Sequence, residues 1–347
     1  FMNADGTVST NQKISDTAGS FTGTLDNSDE FGVSVASLGD LEGDGFTELA
    51  VGSHYDDDGS GNNRGAVWIL TLKTDGTVAN YTKISDTEET FTGILEASDN
   101  FGVSLANMGD MDGDGVIDLA VGAWNDDDGS ASGNRGAVYT LFMNTNGSVK
   151  NYSKISDTNG SFTGTLDDND NFGYSIANMG DLDGDGNNDL AVGAKNDDDG
   201  ITGAGAVWLL FLESNGSVNS YQKISALEGG FTGTVNVAGD LASSIASIGD
   251  LDGDGKTDLV IGGQGGNDGF GGAGEVWILD LRSTATSPVY GDVINASFNI
   301  TDETALVSAN ISINQSGEIV NYSHSTISGT RQELSQNMTF NLTRGHR

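Results

Sequence analysis

Short apolar stretches broken by glycine and acidic turns run along the first 280 residues. Val103 and Leu105 alternate with polar neighbours, which predicts a strand with one buried face; Leu119–Val121 is a short apolar run between two loops, as in a central strand buried on both sides. Val138–Phe142 predicts a third strand, and the turn "NTNGS" at 144–148 folds back a fourth that ends in Lys154 and Ile155. No segment combines a helical apolar period with caps at both ends.

The pattern recurs. "KISDT" or a close variant begins at Lys13, Lys83, Lys154 and Lys223, at spacings of 70, 71 and 69 residues. Each copy continues through "FTGT" or "FTGI", an acidic loop, "LAVG" or "LVIG", a second glycine-rich loop and a stretch such as "GAVWIL". One four-stranded antiparallel sheet cannot bury both faces, so the copies must stack. Radial stacking predicts an all-β protein, a β-propeller of four-stranded antiparallel blades, four within this chain and open to being part of a larger array. The last repeat stops near Leu281 after its third strand, whereas residues 1–14 carry a fourth-strand pattern. The propeller is therefore expected over 1–286, with residues 1–14 closing the last blade; Phe1 reads as a processed or truncated end. Trp68, Trp208 and Trp277 share one strand position with Tyr139 and are expected between blades.

The acidic loops read "DLEGDGFTE" (40–48), "DMDGDGVID" (110–118), "DLDGDGNND" (181–189) and "DLDGDGKTD" (250–258). Carboxylates fall at positions 1, 3, 5 and 9, with glycine at 6, and repel one another unless a cation holds them. A calcium loop uses positions 1, 3 and 5, a tight turn at 6 and the carbonyl of 7. The expected ligands are Asp40, Glu42, Asp44, Phe46 and Glu48; Asp110, Asp112, Asp114, Val116 and Asp118; Asp181, Asp183, Asp185, Asn187 and Asp189; and Asp250, Asp252, Asp254, Lys256 and Asp258. Phe46, Val116, Asn187 and Lys256 would contribute backbone oxygens only, and position 9 a bidentate carboxylate. All-oxygen, flexible sites favour Ca²⁺, about four structural ions in all. Position 12, which holds glutamate in helix-loop-helix calcium sites, is Val51, Val121, Val192 or Ile261, and a strand follows instead. A second set of loops, at 54–62, 124–134, 195–203 and 265–272, reads either as solvated turns or as weak cation or ligand sites.

With 14 basic against 51 acidic residues the formal charge is −37, which disfavours nucleic acid and anionic membranes as partners. No cysteine is present and no apolar run is long enough to span a bilayer. Of three histidines only His54 lies in the repeats, where a lone loop histidine is expected at the surface, so catalysis is not expected. Trp124, in a loop, is the better ligand-contact residue.

After Pro288 the chain alternates polar and apolar residues without an acidic loop, and 287–347 is expected to be an immunoglobulin-like β segment, glycosylated and truncated. All of its asparagines, Asn295, Asn299, Asn310, Asn314, Asn321, Asn337 and Asn341, begin N-x-S/T triplets, as do Asn80, Asn146, Asn151, Asn159 and Asn215 in the repeats. N-linked glycans are expected on some of them.

The repeats resemble the FG-GAP family, best known from the propeller of integrin α subunits. The resemblance is carried by Phe31–Gly32, Phe101–Gly102 and Phe172–Gly173, by the acidic loop and by "LAVGA"; the fourth unit departs from it with Leu241–Ala242. It implies a calcium-dependent extracellular binding module, usually of seven blades. The resulting expectation is a glycosylated surface protein acting in adhesion, on a protein or glycan ligand, or assembling with copies of itself into a layer or fibre. The alternative is a lectin-like module of a larger secreted protein or enzyme.

Overall fold

The computed structural model describes residues 1–57, 62–88, 91–128, 133–235, 237–266, 273–282, 309–315 and 318–324. Two compact units divide at Leu281 and Arg282. No helix occurs among the described residues, and so none long and apolar enough to cross a membrane.

The first unit is a row of antiparallel sheets, one per repeat. The first contains β1 (Val35–Gly39), β2 (Thr47–Ser53), β3 (Ala66–Leu72) and β4 (Val78–Ile84). The second contains β5 (Phe101–Gly109), β6 (Asp118–Ala123), β7 (Ala137–Met143) and β8 (Val149–Ile155). In the third lie β9 (Phe172–Gly180), β10 (Asp189–Ala194), β11 (Ala206–Leu212) and β12 (Val218–Ile224). The fourth has three strands, β13 (Leu241–Gly249), β14 (Asp258–Gly263) and β15 (Glu275–Leu279). Within each sheet the strands follow chain order, as in propeller blades.

Sheets pack face to face because each central strand is apolar on both sides. Leu38, Ala50, Val67 and Ile69 of the first sheet meet Leu105, Leu119, Val121 and Tyr139 of the second. Met108, Ala120 and Val138 then meet Ile176, Val192 and Trp208 of the third. Met179, Ala191, Val207 and Leu209 meet Leu259, Ile261 and Trp277 of the fourth. The aromatic position read as inter-blade core is therefore core: Trp68, Tyr139 and Trp208 are buried, and Trp277 is half-buried.

The inner strands approach too closely for ordinary side chains. A Cβ on Gly122 would fall 2.0 Å from the Gly173 carbonyl oxygen of the next sheet. The Ser104 hydroxyl donates to that same carbonyl at 2.7 Å, as Ser34 does to Gly102 and Ser175 to Ala242. Small residues here are a condition of stacking rather than a loss of core.

In the second unit β16 (Ala309–Gln315) pairs with β17 (Glu318–His324) as an antiparallel hairpin. The rest of the expected immunoglobulin-like segment lies outside the described residues, along with Asn295, Asn299, Asn337 and Asn341.

Candidate functional site: the acidic loops

Each acidic loop joins the first and second strands of its sheet, and its carboxylates hydrogen-bond the loop's own backbone. The position-1 aspartate accepts backbone N–H groups. Asp110 takes those of Gly113 (2.8 Å), Asp114 (3.0 Å) and Gly115 (2.8 Å); Asp250 takes those of Gly253, Asp254 and Gly255. Position 5 closes a local turn onto position 7: Asp44 accepts from Phe46, Asp114 from Val116, Asp185 from Asn187 and Asp254 from Lys256. Glycine at position 6 lies at φ +89 in Gly115, in the left-handed region that a side chain disfavours.

Position 9 ties the loop to the sheet. Asp118 is buried at the start of β6, and its two oxygens accept the N–H of Met111 in the loop and of Met143 at the end of β7, each at 2.9 Å. Asp189 does the same with Leu182 and Leu212, and Asp258 with Leu251 and Leu281. In the first loop Glu48 accepts the Leu41 N–H. Burial pushes the carboxyls of Asp118 and Asp189 up to about 6 and raises that of Glu48. A dication would hold them ionised.

The donor set fits a hard cation. Oxygens of Asp110, Asp112 and Asp118 lie within 4.8 Å of one another, as do those of Asp181, Asp183 and Asp189, and of Asp250, Asp252 and Asp254. The second loop already attracts an ammonium: Lys150 Nζ sits 2.7 Å from both Asp112 and Asp114 and, by hydrogen bonding, lowers the Asp114 carboxyl. Ala79 and Asn219 hold the corresponding places in the first and third sheets. The first loop, with Glu42 and Glu48, shows no such carboxylate trio among the described residues.

Among the described residues, the first aspartates of three of the second loops are not solvated. Asp56, Asp126 and Asp197 are buried and pair with the lysine of "KIS" or its variant on the fourth strand. The distances are 2.9 Å for Lys83–Asp56, 2.7 Å for Lys154–Asp126 and 2.8 Å for Lys223–Asp197. Each ammonium also lies over the sheet's aromatic core residue, 4.7 Å from Trp68, 5.6 Å from Tyr139 and 4.9 Å from Trp208. The same lysine recurring in every repeat was the available signal. These clusters are structural joints between loop and sheet. His54 is likewise buried rather than at the surface, 3.8 Å from Glu30, and burial lowers its pKa. Trp124 is half-buried, edge-on to Tyr174 of the next sheet.

Asp99 lies beside this cluster and is buried without a cation of its own. Burial, reinforced by Asp126, pushes it up to about 8. A carboxyl whose pKa is raised on folding costs nothing below its unfolded value near 4; the folded state then loses stability as pH rises toward 8. Asp99→Asn can still accept the Glu96 N–H (2.7 Å in the wild type). The variant is expected to be more stable than wild type at pH 8.5 by on the order of 1–3 kcal/mol, with the advantage vanishing near pH 4. Urea unfolding of both proteins across that range checks it.

Stacked antiparallel sheets, each with an acidic loop between its first two strands, define the repeat unit of a β-propeller. Residues 31–70, 172–210 and 242–279 match the FG-GAP repeat. The chain is also similar to integrin α subunits: 33% identical over 168 residues to integrin alpha-6 of Gallus gallus, or 48% of this chain and 14% of that protein. It is 33% identical over 179 residues to integrin alpha-PS5 of Drosophila melanogaster, or 52% and 16%. With integrin alpha-7 of Homo sapiens it shares 40% over 96 residues, 28% and 7%. The chain thus spans only a small part of the length of these relatives.

Proposed function

We propose that this chain is a calcium-stabilised module of an extracellular surface protein, acting in adhesion or as a structural subunit of a layer or fibre. The convergence of three carboxylates in each of three loops, beside strands whose packing depends on those loops, carries the reading. The likeness to integrin α subunits supports an adhesive role on a protein or glycan ligand at a cell surface and gives no support to catalysis. In each loop the ligands are the carboxylates of positions 1, 3, 5 and 9 with the carbonyl of position 7, so about four ions bind per chain. A calcium ion would neutralise the cluster and lock the first two strands of each blade together.

N-linked glycans would decorate the same surface. Asn80 and Asn151 are exposed on β4 and β8, and Asn146 and Asn215 are exposed in the turns that precede β8 and β12. Asn159 is a poorer acceptor, because its amide nitrogen donates to Asp128, Ser156 and Thr158.

Thermal unfolding tests the cation reading. In excess calcium each saturated site adds about 2.7 kcal/mol at a ligand concentration 100 times Kd, so the melting temperature should fall sharply in chelator. Magnesium should restore it less well than calcium. An unchanged melting temperature would sink the reading.

A further inference from the structure

The lysine–aspartate pairs that join loop to sheet are not equivalent. In the first two repeats the ammonium donates to a carboxylate oxygen with ordinary hydrogen-bond geometry, Lys83 to Asp56 at 2.9 Å and Lys154 to Asp126 at 2.7 Å. The Tyr139 hydroxyl holds the other Asp126 oxygen at 3.0 Å. In the third repeat Trp208 takes the place of that tyrosine, opposite Val192 as Tyr139 is opposite Val121, and its indole N–H makes no hydrogen bond among the described residues. Lys223 Nζ lies 2.8 Å from Asp197 Oδ2, yet that oxygen accepts no hydrogen bond among the described residues. The other oxygen accepts the Asp199 N–H at 3.2 Å, which fixes the orientation of the carboxyl group. The nitrogen therefore rests against the carboxyl group without being seated as a donor.

Water is kept from this contact. Lys223 is 7% exposed and Asp197 1%, and the Trp208 ring lies 4.9 Å from the ammonium. Asp199, a second counter-ion at 2.7 Å, is only half-buried and is engaged by the Ser225 hydroxyl at 2.9 Å. A third carboxyl completes the group. Asp170, 3% exposed, stands just before β9 and accepts the Asp167 N–H at 2.8 Å. Burial, and after it the charge of Asp197, pushes Asp170 up to about 7, with Lys223 opposing. Such an acid gives up and takes back a proton near neutrality.

We propose that Lys223 and Asp197 condense to an amide that ties β12 covalently to the loop between β10 and β11, with Asp170 carrying the protons. Asp197 and Asp199 hold Lys223 as an ammonium, so a proton must first leave it. That proton passes by way of Asp170 to the Asp197 carboxylate, leaving an amine beside a carboxylic acid. The Nζ lone pair attacks Asp197 Cγ and forms the C–N bond. The C–O bond then breaks, the oxygen leaves as water with a proton from Asp170, and the nitrogen returns a proton to Asp170. Ammonium and carboxylate become amide and one water, so no oxidant, reductant or further reactant is needed. Groups held in place react with effective molarities of roughly 10⁵–10⁸ M, which takes the place of chemical activation of the acid. The product also removes two charges whose burial is costly. In a chain without cysteine the amide does what a disulfide does elsewhere. None of these residues belongs to the calcium loops, so the bond survives a failure of calcium binding.

Peptide mapping by mass spectrometry of the full chain, denatured after incubation at neutral pH, tests this. The segments that contain Asp197 and Lys223 should stay joined after digestion, at a mass one water below their sum. Lys223→Arg keeps the charge and should abolish the joined species. Asp170→Asn should abolish it too while giving wild-type-like spectra, a loss that a merely structural role for Asp170 would not produce. Wild-type segments that separate at their full masses overturn the proposal, as does a lost water confined to one segment. A joined species formed equally in Asp170→Asn overturns the proton-carrying role of that residue.

Discussion

Asp118→Ala is expected to lower the stability of the calcium-loaded protein by roughly 2–5 kcal/mol, far more than substitution of an exposed loop aspartate. The side chain is buried, and its removal leaves the N–H groups of Met111 and Met143 without acceptors, each costing about 1–3 kcal/mol. On the proposed calcium reading a cation ligand is lost as well. Asp118→Asn keeps one acceptor and should fall between the two. In chelator the gap between wild type and Asp118→Ala should narrow without closing, since the backbone hydrogen bonds remain. Urea unfolding with and without calcium measures both parts; a variant within 0.5 kcal/mol of wild type in calcium, the ordinary range for surface changes, would contradict the role of position 9.

Lys154→Met is expected to cost roughly 3–5 kcal/mol, independent of calcium. Its ammonium pairs with Asp126 at 2.7 Å and also with Asp128, whose carboxyl in turn accepts from Ser156 and Thr158. Burial would lower the Lys154 pKa, but Asp126 and Asp128 outweigh it and hold the ammonium charged. Asp126 is raised by burial even with the lysine beside it, so without that partner it would ionise at greater cost. The Tyr139 hydroxyl, which donates to Asp126 at 3.0 Å, cannot replace a full charge. Adding Asp126→Asn to Lys154→Met should recover part of the loss. Additive losses in the double variant would mean that the pair does not act as one unit.

Strand positions were legible because each repeat marks its own turns, and the predicted run Leu119–Val121 lies inside β6. The acidic loops were legible as clusters, since their spacing is local. Position 9 was read only as a ligand. Its hydrogen bond to Met143, 25 residues away, depends on β7 lying beside β6, which no local pattern states. The Lys154–Asp126 pair spans 28 residues and hid behind a loop that reads as polar. The buried place of His54 is not legible for the same reason: burial on the inner side of a loop is set by the neighbouring sheet. Joints such as Ser104 to Gly173 are 69 residues apart, and only the repeat length hinted at them.

The most direct test of the central claim is a calorimetric calcium titration of chelator-stripped protein, read together with its melting temperature. Saturation is expected near four calcium ions per chain, with a melting temperature that rises with occupancy and loss of about one site each in Asp112→Asn, Asp183→Asn and Asp252→Asn. No binding heat over a range that leaves the melting temperature unmoved would contradict it.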